Sequence, residues 1–144
     1  MSQIKVLFIC TGNTTRGVMA QAFLKKYGGD EFFVSSAGIE PGEPDAMTIE
    51  VMKEAKIDVS KLQPKNIEDF VGNKSYNYII TLSGTAESKA PIFPGMAYRL
   101  SWPFENPKEN SLSEEEMLLK YRSTRDQIEE KIKNWVEEIR EKIS

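Results

Sequence analysis

The chain has 144 residues, with nineteen basic against twenty-two acidic side chains and a net charge of −3. That length suits one domain with its own core, expected to span residues 1–144, and the acidic balance argues against a nonspecific nucleic-acid binder. One cysteine and no histidine exclude an intrachain disulfide, a cysteine-rich zinc site and histidine-based triads, so chemistry falls to the thiol, carboxylates, Arg, Lys or backbone amides.

The amino-terminal apolar run is too short for a secretory signal, and no stretch approaches the length of a membrane span. With an unpaired cysteine, a soluble cytoplasmic protein without a membrane partner is expected. Residues 4–9 are nearly all apolar, as in a strand buried on both faces of a parallel sheet. Residues 11–15 form a polar loop of small side chains. Val18, Ala22, Phe23 and Tyr27 then fall at helical spacing over 17–27, and Gly28-Gly29 stops the helix. A second strand is expected over 31–37, with Phe32-Phe33-Val34 as its apolar part, before Gly38 and Pro41-Gly42 break the chain. Residues 44–55 read as a helix with Met47, Val51 and Met52 on one face. A short extended piece over 59–62 and a short helix over 66–71 follow.

Residues 77–82, containing Tyr78-Ile79-Ile80, read as a strong strand. Residues 83–94 read as a loop with at most a helical turn, 97–101 as a short strand, and 102–110, with two prolines, as a loop. The longest helix spans 113–143. Ser113 caps it, Glu114, Glu115 and Glu116 fill its first turn, and Met117, Tyr121, Ile128, Ile132, Trp135, Ile139 and Ile143 form its apolar stripe. Four strands alternating with helices give a three-layer α/β sandwich on a four-stranded parallel sheet. Ligands of such sheets bind beyond the carboxyl ends of the strands, where Cys10 sits.

Five residues separate Cys10 from Arg16. Small side chains let this loop curl so that successive N–H groups point inward as an anion nest. The helix that follows adds its positive amino-terminal end. Both favour thiolate, so the Cys10 thiol is expected to ionise below the ordinary value of about 8.5. Arg16 then grips a tetrahedral oxyanion through paired hydrogen bonds, and a thiolate beneath it is placed for in-line attack. The bland alternative makes Cys10 a structural cysteine at a strand end and Arg16 a surface residue. Placement of the C-x5-R spacing between a buried strand and a helix favours the chemical reading.

The stretch from Val6 to Arg16, with Met19-Ala20 after it, resembles the low-molecular-weight protein tyrosine phosphatase and thioredoxin-coupled arsenate reductase superfamily. Ser36-Ala37-Gly38-Ile39, Ile79-Ile80-Thr81-Leu82 and Trp102-Pro103-Phe104-Glu105-Asn106-Pro107 extend the likeness over nearly the whole chain. The resemblance implies the low-molecular-weight phosphatase fold, Cys10 as nucleophile and Arg16 as oxyanion and transition-state binder. It places Thr11, Gly12, Asn13, Thr14 and Thr15 along the cradle, with Asn13 and Ser36 bracing the loop.

Three positions depart from the family pattern. Gly17 stands where the family carries a Ser or Thr whose hydroxyl helps the thiolate. Asn106, before Pro107, stands where the family carries its Asp general acid, and an amide cannot protonate a leaving group. Glu105 is the adjacent candidate acid, although neighbours on an extended loop usually point apart. Ser83 and Ala90 stand where thioredoxin-coupled arsenate reductases carry two relay cysteines, so an internal disulfide relay is impossible.

Three functions follow. The leading one is a phosphatase acting on phosphotyrosine-like phosphomonoesters through a cysteinyl-phosphate. The second is an arsenate reductase served by an external thiol reductant. The third is a module that binds phosphate, arsenate or a phosphorylated ligand without turnover. No cofactor or metal is expected: Glu43 and Asp45 are too scattered, and Gln21 stands where some arsenate reductases carry a carboxylate near their counterparts of Asn13 and Ser36. Trp102 and Phe104 read as packing anchors rather than walls for an aromatic substrate. Tyr76 is expected in the core and Tyr78 on the surface.

Overall fold

The computed structural model describes residues 3–12, 14–43, 45–72, 76–91 and 95–143. Its elements in chain order are β1 (Ile4–Cys10), α1 (Arg16–Gly28), β2 (Phe32–Gly38), α2 (Ala46–Glu54), β3 (Tyr78–Thr81), α3 (Gly84–Lys89), β4 (Tyr98–Ser101) and α4 (Glu114–Ile143). Short 3₁₀ turns fall at Gly29–Glu31 and Ile67–Asp69. The sheet is wholly parallel in the order β2-β1-β3-β4.

Alternation along β1 decides the layers. Val6, Phe8 and Cys10 join one buried cluster with α1 and α4 residues such as Met19, Phe23, Ile128 and Ile132. Leu7 and Ile9 join the other with Ile67, Tyr76, Ile79 and Ala86 of α3. Successive side chains of a strand point to opposite faces, and both faces are covered, which is why β1 is apolar and buried from Val6 to Cys10. Because β2 and β3 flank β1 on opposite sides, the chain reverses direction across the sheet at the carboxyl end of β1. That is the crevice where open α/β sheets bind ligands.

α1 passes close to β2. A Cβ on Gly28 would lie 2.4 Å from Cδ2 of Phe32, whose ring packs against Trp135 at 5.9 Å. Trp102 is buried between Phe8 (6.2 Å) and Trp135 (5.4 Å), so it anchors the loop that follows β4. On the outer face, Glu54 of α2 binds Arg122 and Arg125 of α4, each at 2.8 Å. α4 opens with a reciprocal cap: the Glu116 amide donates to Ser113 Oγ at 3.1 Å and the Ser113 amide to Glu116 Oε1 at 3.2 Å.

Several expectations change. Residues 59–62 are a turn, in which the Leu62 amide donates to the Val59 carbonyl at 3.1 Å. The Asp58 carboxylate takes the Ser60 amide at 2.9 Å, an Asx turn that competes with a strand. The expected loop from 83 contains a true helix, because Ser83 Oγ caps the Ala86 amide at 3.0 Å and Thr81 Oγ1 donates to Glu87 at 2.5 Å. Only Ile67–Asp69 of the expected helix over 66–71 is helical. Ile143 is 65% exposed, since the buried stripe of α4 ends at Ile139. Tyr78 is half-buried, edge-on to Trp135 at 5.1 Å and stacked with Tyr98 at 5.6 Å. Among the described residues no helix is long and apolar enough to cross a membrane.

Candidate active site

Beyond β1 the backbone cannot continue its ladder, and its carbonyls are taken up by the segment after β2. The amides of Ile39, Glu40 and Gly42 donate to the carbonyls of Cys10 (3.1 Å), Thr11 (2.9 Å) and Gly12 (3.1 Å). A peptide's N–H points opposite its C=O. Fixing these carbonyls outward therefore turns the loop amides toward its concave side, the arrangement of an anion nest. At its far end the loop enters α1, whose first amides have no partner within the helix.

The concave side is a cavity of about 190 Å³ lined by Cys10, Thr11, Gly12, Thr14, Thr15, Arg16, Asn106 and Lys108. That lies below the roughly 300–1,000 Å³ of pockets for drug-sized ligands, so the site suits a small oxyanion rather than a bulky group. Cys10 lies at its floor, 2% exposed. Arg16 is half-buried, and its Nη1 donates to the Phe104 carbonyl at 2.8 Å. That bond pins the guanidinium to the loop after β4 and leaves its other donors for a ligand. Burial lowers the Arg16 pKa, opposed by attraction to Cys10, and an arginine so placed stays charged at neutral pH.

Of the residues singled out in the sequence, Cys10, Thr11, Gly12, Thr14, Thr15, Arg16 and Asn106 converge on this cavity. Asn13 lies outside the described residues. Gly17 is buried in the first turn of α1. Ser36 is buried on β2, where its Oγ donates to Gln21 Oε1 at 2.6 Å and ties β2 to α1. Glu105 is not brought to the cradle. Its side chain is 82% exposed and its carboxylate faces Lys120 Nζ of α4 at 3.7 Å. Consecutive residues of this extended loop point to opposite sides, so Asn106 takes the cavity side and Glu105 the outside.

One further residue, Lys108, lines the cavity, and another, Asp45, holds the lining residue Thr15 from behind. Lys108 reaches the cavity because its amide donates to Asn106 Oδ1 at 3.1 Å, an Asx turn that bends the loop after Pro107. The turn engages the Asn106 carbonyl oxygen and leaves the amide NH₂ as its donor. Asp45 caps α2, with Oδ1 accepting the Met47 amide at 3.2 Å. Its Oδ2 accepts three hydroxyls, from Thr15 at 2.8 Å, Thr48 at 3.0 Å and Tyr121 at 2.7 Å. Burial, then the Asp45 carboxylate, push the Tyr121 hydroxyl far above its ordinary pKa. The Asn-Pro pair signals the first of these turns and an Asp before an apolar helix signals the second, but neither signal reaches the cradle. Ser83, at the carboxyl end of β3, sets its Oγ 3.1 Å from Thr11 Oγ1. Among the described residues no group of three or more Cys, Asp or Glu side chains is placed to hold a metal ion.

Residues 5–144 match the model of the low molecular weight phosphotyrosine protein phosphatase family. The chain is 38% identical over 137 residues to an arsenate reductase of Bacillus licheniformis, covering 95% of this chain and 98% of that one. It is 35% identical to an arsenate reductase of Bacillus subtilis, covering 92% and 94%. A solved arsenate reductase in the phosphate binding state superposes with a TM-score of 0.76 at 28% identity, covering 95% of this chain and 99% of that one. A tyrosine phosphatase of T. tengcongensis shares the fold, with a TM-score of 0.73 at 24% identity over 94% and 99%.

Proposed function

The chain belongs to the low molecular weight phosphotyrosine protein phosphatase family, and we propose that its activity is arsenate reduction with the electrons drawn from an outside thiol. The observation that carries this reading is Asn106, an amide, sharing the cavity with Cys10 and Arg16 where a phosphatase would place its proton donor. Ester cleavage expels an alkoxide or phenoxide that needs a proton, and without a general acid it slows by roughly 10²–10⁴-fold. Arsenate expels only hydroxide, and its monoanion brings protons of its own. The names of the relatives in two Bacillus species support the same choice.

The steps balance with the groups at hand. The Cys10 thiolate attacks arsenic, H₂AsO₄⁻ gives up one oxygen as water using its own two protons, and a Cys10–S–AsO₃²⁻ adduct remains. Arg16 and the loop amides hold the three oxygens as charge builds on them. An outside thiol then attacks the Cys10 sulfur. The S–As bond breaks, its electron pair stays on arsenic, and the thiol proton leaves with arsenite as HAsO₃²⁻. Arsenic is reduced from V to III, and the two sulfurs are oxidised to a mixed disulfide. A second thiol exchanges with that disulfide and returns Cys10. Phosphate has no accessible III state here, so it binds the same cradle as an inhibitor.

Wild type and Cys10→Ser should be assayed with arsenate plus glutathione, then with an aryl phosphate. Arsenite formation that requires both the thiol and Cys10 is expected. Hydrolysis of the aryl phosphate without arsenite would instead establish the phosphatase reading, and oxyanion binding without either turnover would establish a binding module.

A further inference from the structure

Two of the residues lining the cradle cavity are cations, Arg16 and Lys108. Arg16 is tied to the Phe104 carbonyl at 2.8 Å. Lys108 lines the same cavity from an exposed position on the loop after β4. The carboxylates that flank it in sequence are drawn elsewhere: Glu105 and Glu109 both face Lys120 of α4, at 3.7 and 2.8 Å. Among the described residues no carboxylate pairs with Lys108. Its backbone is held by the buried Pro107 before it and by its own amide, which donates to Asn106 Oδ1 at 3.1 Å. That turn uses only the main chain of Lys108, so the side chain can be changed without undoing it.

We propose that Lys108 selects the outside thiol by charge, favouring one that carries a carboxylate within a few bonds of its sulfur. The inference rests on the reductase reading above and names the class of its thiol. Cys10 is 2% exposed at the floor of the cavity, and Lys108 is exposed at its rim. A small thiol with its sulfur on Cys10 therefore leaves its other end toward the rim. The arsenic adduct carries two negative charges, and Arg16 offsets one of them. A carboxylate brought in beside that adduct meets net repulsion unless a second cation answers it, and Lys108 supplies one. The planar fork of Arg16 matches an oxyanion, whereas a lysine ammonium is a point charge on a flexible stem that can follow a carboxylate on an incoming molecule. Charges at a rim act chiefly on the rate of encounter and are screened by salt.

Three thiols of nearly equal size test this: mercaptoacetate, 2-mercaptoethanol and cysteamine, which are anionic, neutral and cationic at their far ends. Arsenite formation should be measured with each in wild type, Lys108→Gln and Lys108→Glu, as the ratio of variant to wild type, so that the thiols' own reactivities cancel. In Lys108→Gln mercaptoacetate should lose about two- to fivefold relative to 2-mercaptoethanol, the range for an exposed charge pair, and cysteamine should gain. Lys108→Glu should carry both changes further, and added salt should shrink them. A role confined to holding the oxyanion would slow all three thiols alike. A second measurement needs no arsenic: exchange of Cys10 with the symmetrical disulfide of each thiol. There the Cys10 thiolate attacks one sulfur, the S–S bond breaks, and the other half leaves as thiolate. The same order of charges is expected. Equal effects on all three reagents in both measurements would overturn the inference. No arsenite from any thiol, with the order kept in the exchange, would overturn the reductase reading while supporting charge selection at Cys10.

Discussion

Replacing Asn106 by Asp tests the reading of the cavity most directly. The residue lines the cradle with Cys10 and Arg16, and its Oδ1 already accepts the Lys108 amide at 3.1 Å. An Asp of the same shape keeps that turn through one oxygen and presents the other where the amide nitrogen was. The cavity then holds a nucleophile, an oxyanion clamp and a proton donor. General acid catalysis is worth roughly 10²–10⁴-fold, or about 2.7–5.4 kcal/mol of barrier. The Lys108 amide favours the ionised carboxylate, so the gain should be greatest in mildly acidic buffer, where the carboxyl keeps its proton. Hydrolysis of phenyl phosphate and of 4-nitrophenyl phosphate should be compared in wild type and Asn106→Asp. The phenyl ester, with its more basic leaving group, should gain by at least tenfold more than the nitrophenyl ester. Equal gains on both, or none on either, would refute the claim that Asn106 occupies the position of an absent acid.

Further outcomes follow from the same structure. Lys108→Ala should weaken phosphate binding up to about fivefold, as for an exposed charge worth ~0.2–1 kcal/mol, and should flatten its salt dependence; titrations at two ionic strengths check this. Gly28→Ala places a Cβ 2.4 Å from Phe32 Cδ2, and such overpacking costs about 1–3 kcal/mol, read as a lower urea midpoint with an unchanged slope. Hydrogen bonds from Arg122, then Arg125, lower the Glu54 pKa to about 2. A carboxylate depressed on folding stabilises above its unfolded pKa and loses that contribution as pH falls through the folded value. The acid loss of stability between about pH 4.5 and 2 should therefore shrink in Glu54→Gln, by ~0.5–1 kcal/mol after solvent screening.

Legibility in the sequence followed the range of the forces involved. β1 and the loop after it were readable because both depend on local pattern: an unbroken apolar run for a strand covered on two faces, then small residues before a helix. α3 was not, because a helix of this length is held by its surroundings. Ser83 caps it and Thr81 reaches Glu87 across from the sheet, and neither bond shows in a propensity. The orientation of Glu105 against Asn106 depends on the Phe104 amide donating to the Leu82 carbonyl at 3.0 Å and on the turn at Lys108, so adjacency alone did not decide which of them faces the cavity. Asp45, read in the sequence as one of two scattered carboxylates, caps α2 and meets Thr15 and Tyr121, which lie 30 and 76 positions away, a range no local pattern reaches.

The same distribution of forces constrains how the thiol is reset. Ser83 stands beside the cradle, its hydroxyl shared between Thr11 and the cap of α3, and the helix it starts is further tied by Thr81 to Glu87. A cysteine at Ser83 could leave this helix to meet Cys10, but a serine has no disulfide to gain by doing so. With one cysteine in the chain, the proposed arsenate reduction has to draw its reducing equivalents from outside. Cys10 is 2% exposed at the floor of a cavity of about 190 Å³, so they must arrive through the opening that admits the oxyanion. Attack on sulfur opposite arsenic requires the incoming thiol, the Cys10 sulfur and arsenic to lie near a line. Cys10 belongs to the buried cluster that also holds Phe8, Met19 and Leu82, so its sulfur is approached from the cavity side. On the proposed reaction the adduct must therefore swing toward the mouth before a thiol can reach it, or the Arg16 to Phe104 bond at 2.8 Å must open to widen that mouth. In the second case the loop after β4, which carries Phe104, is the element that moves, and on the proposed reaction a slender thiol has the advantage over a broad protein surface.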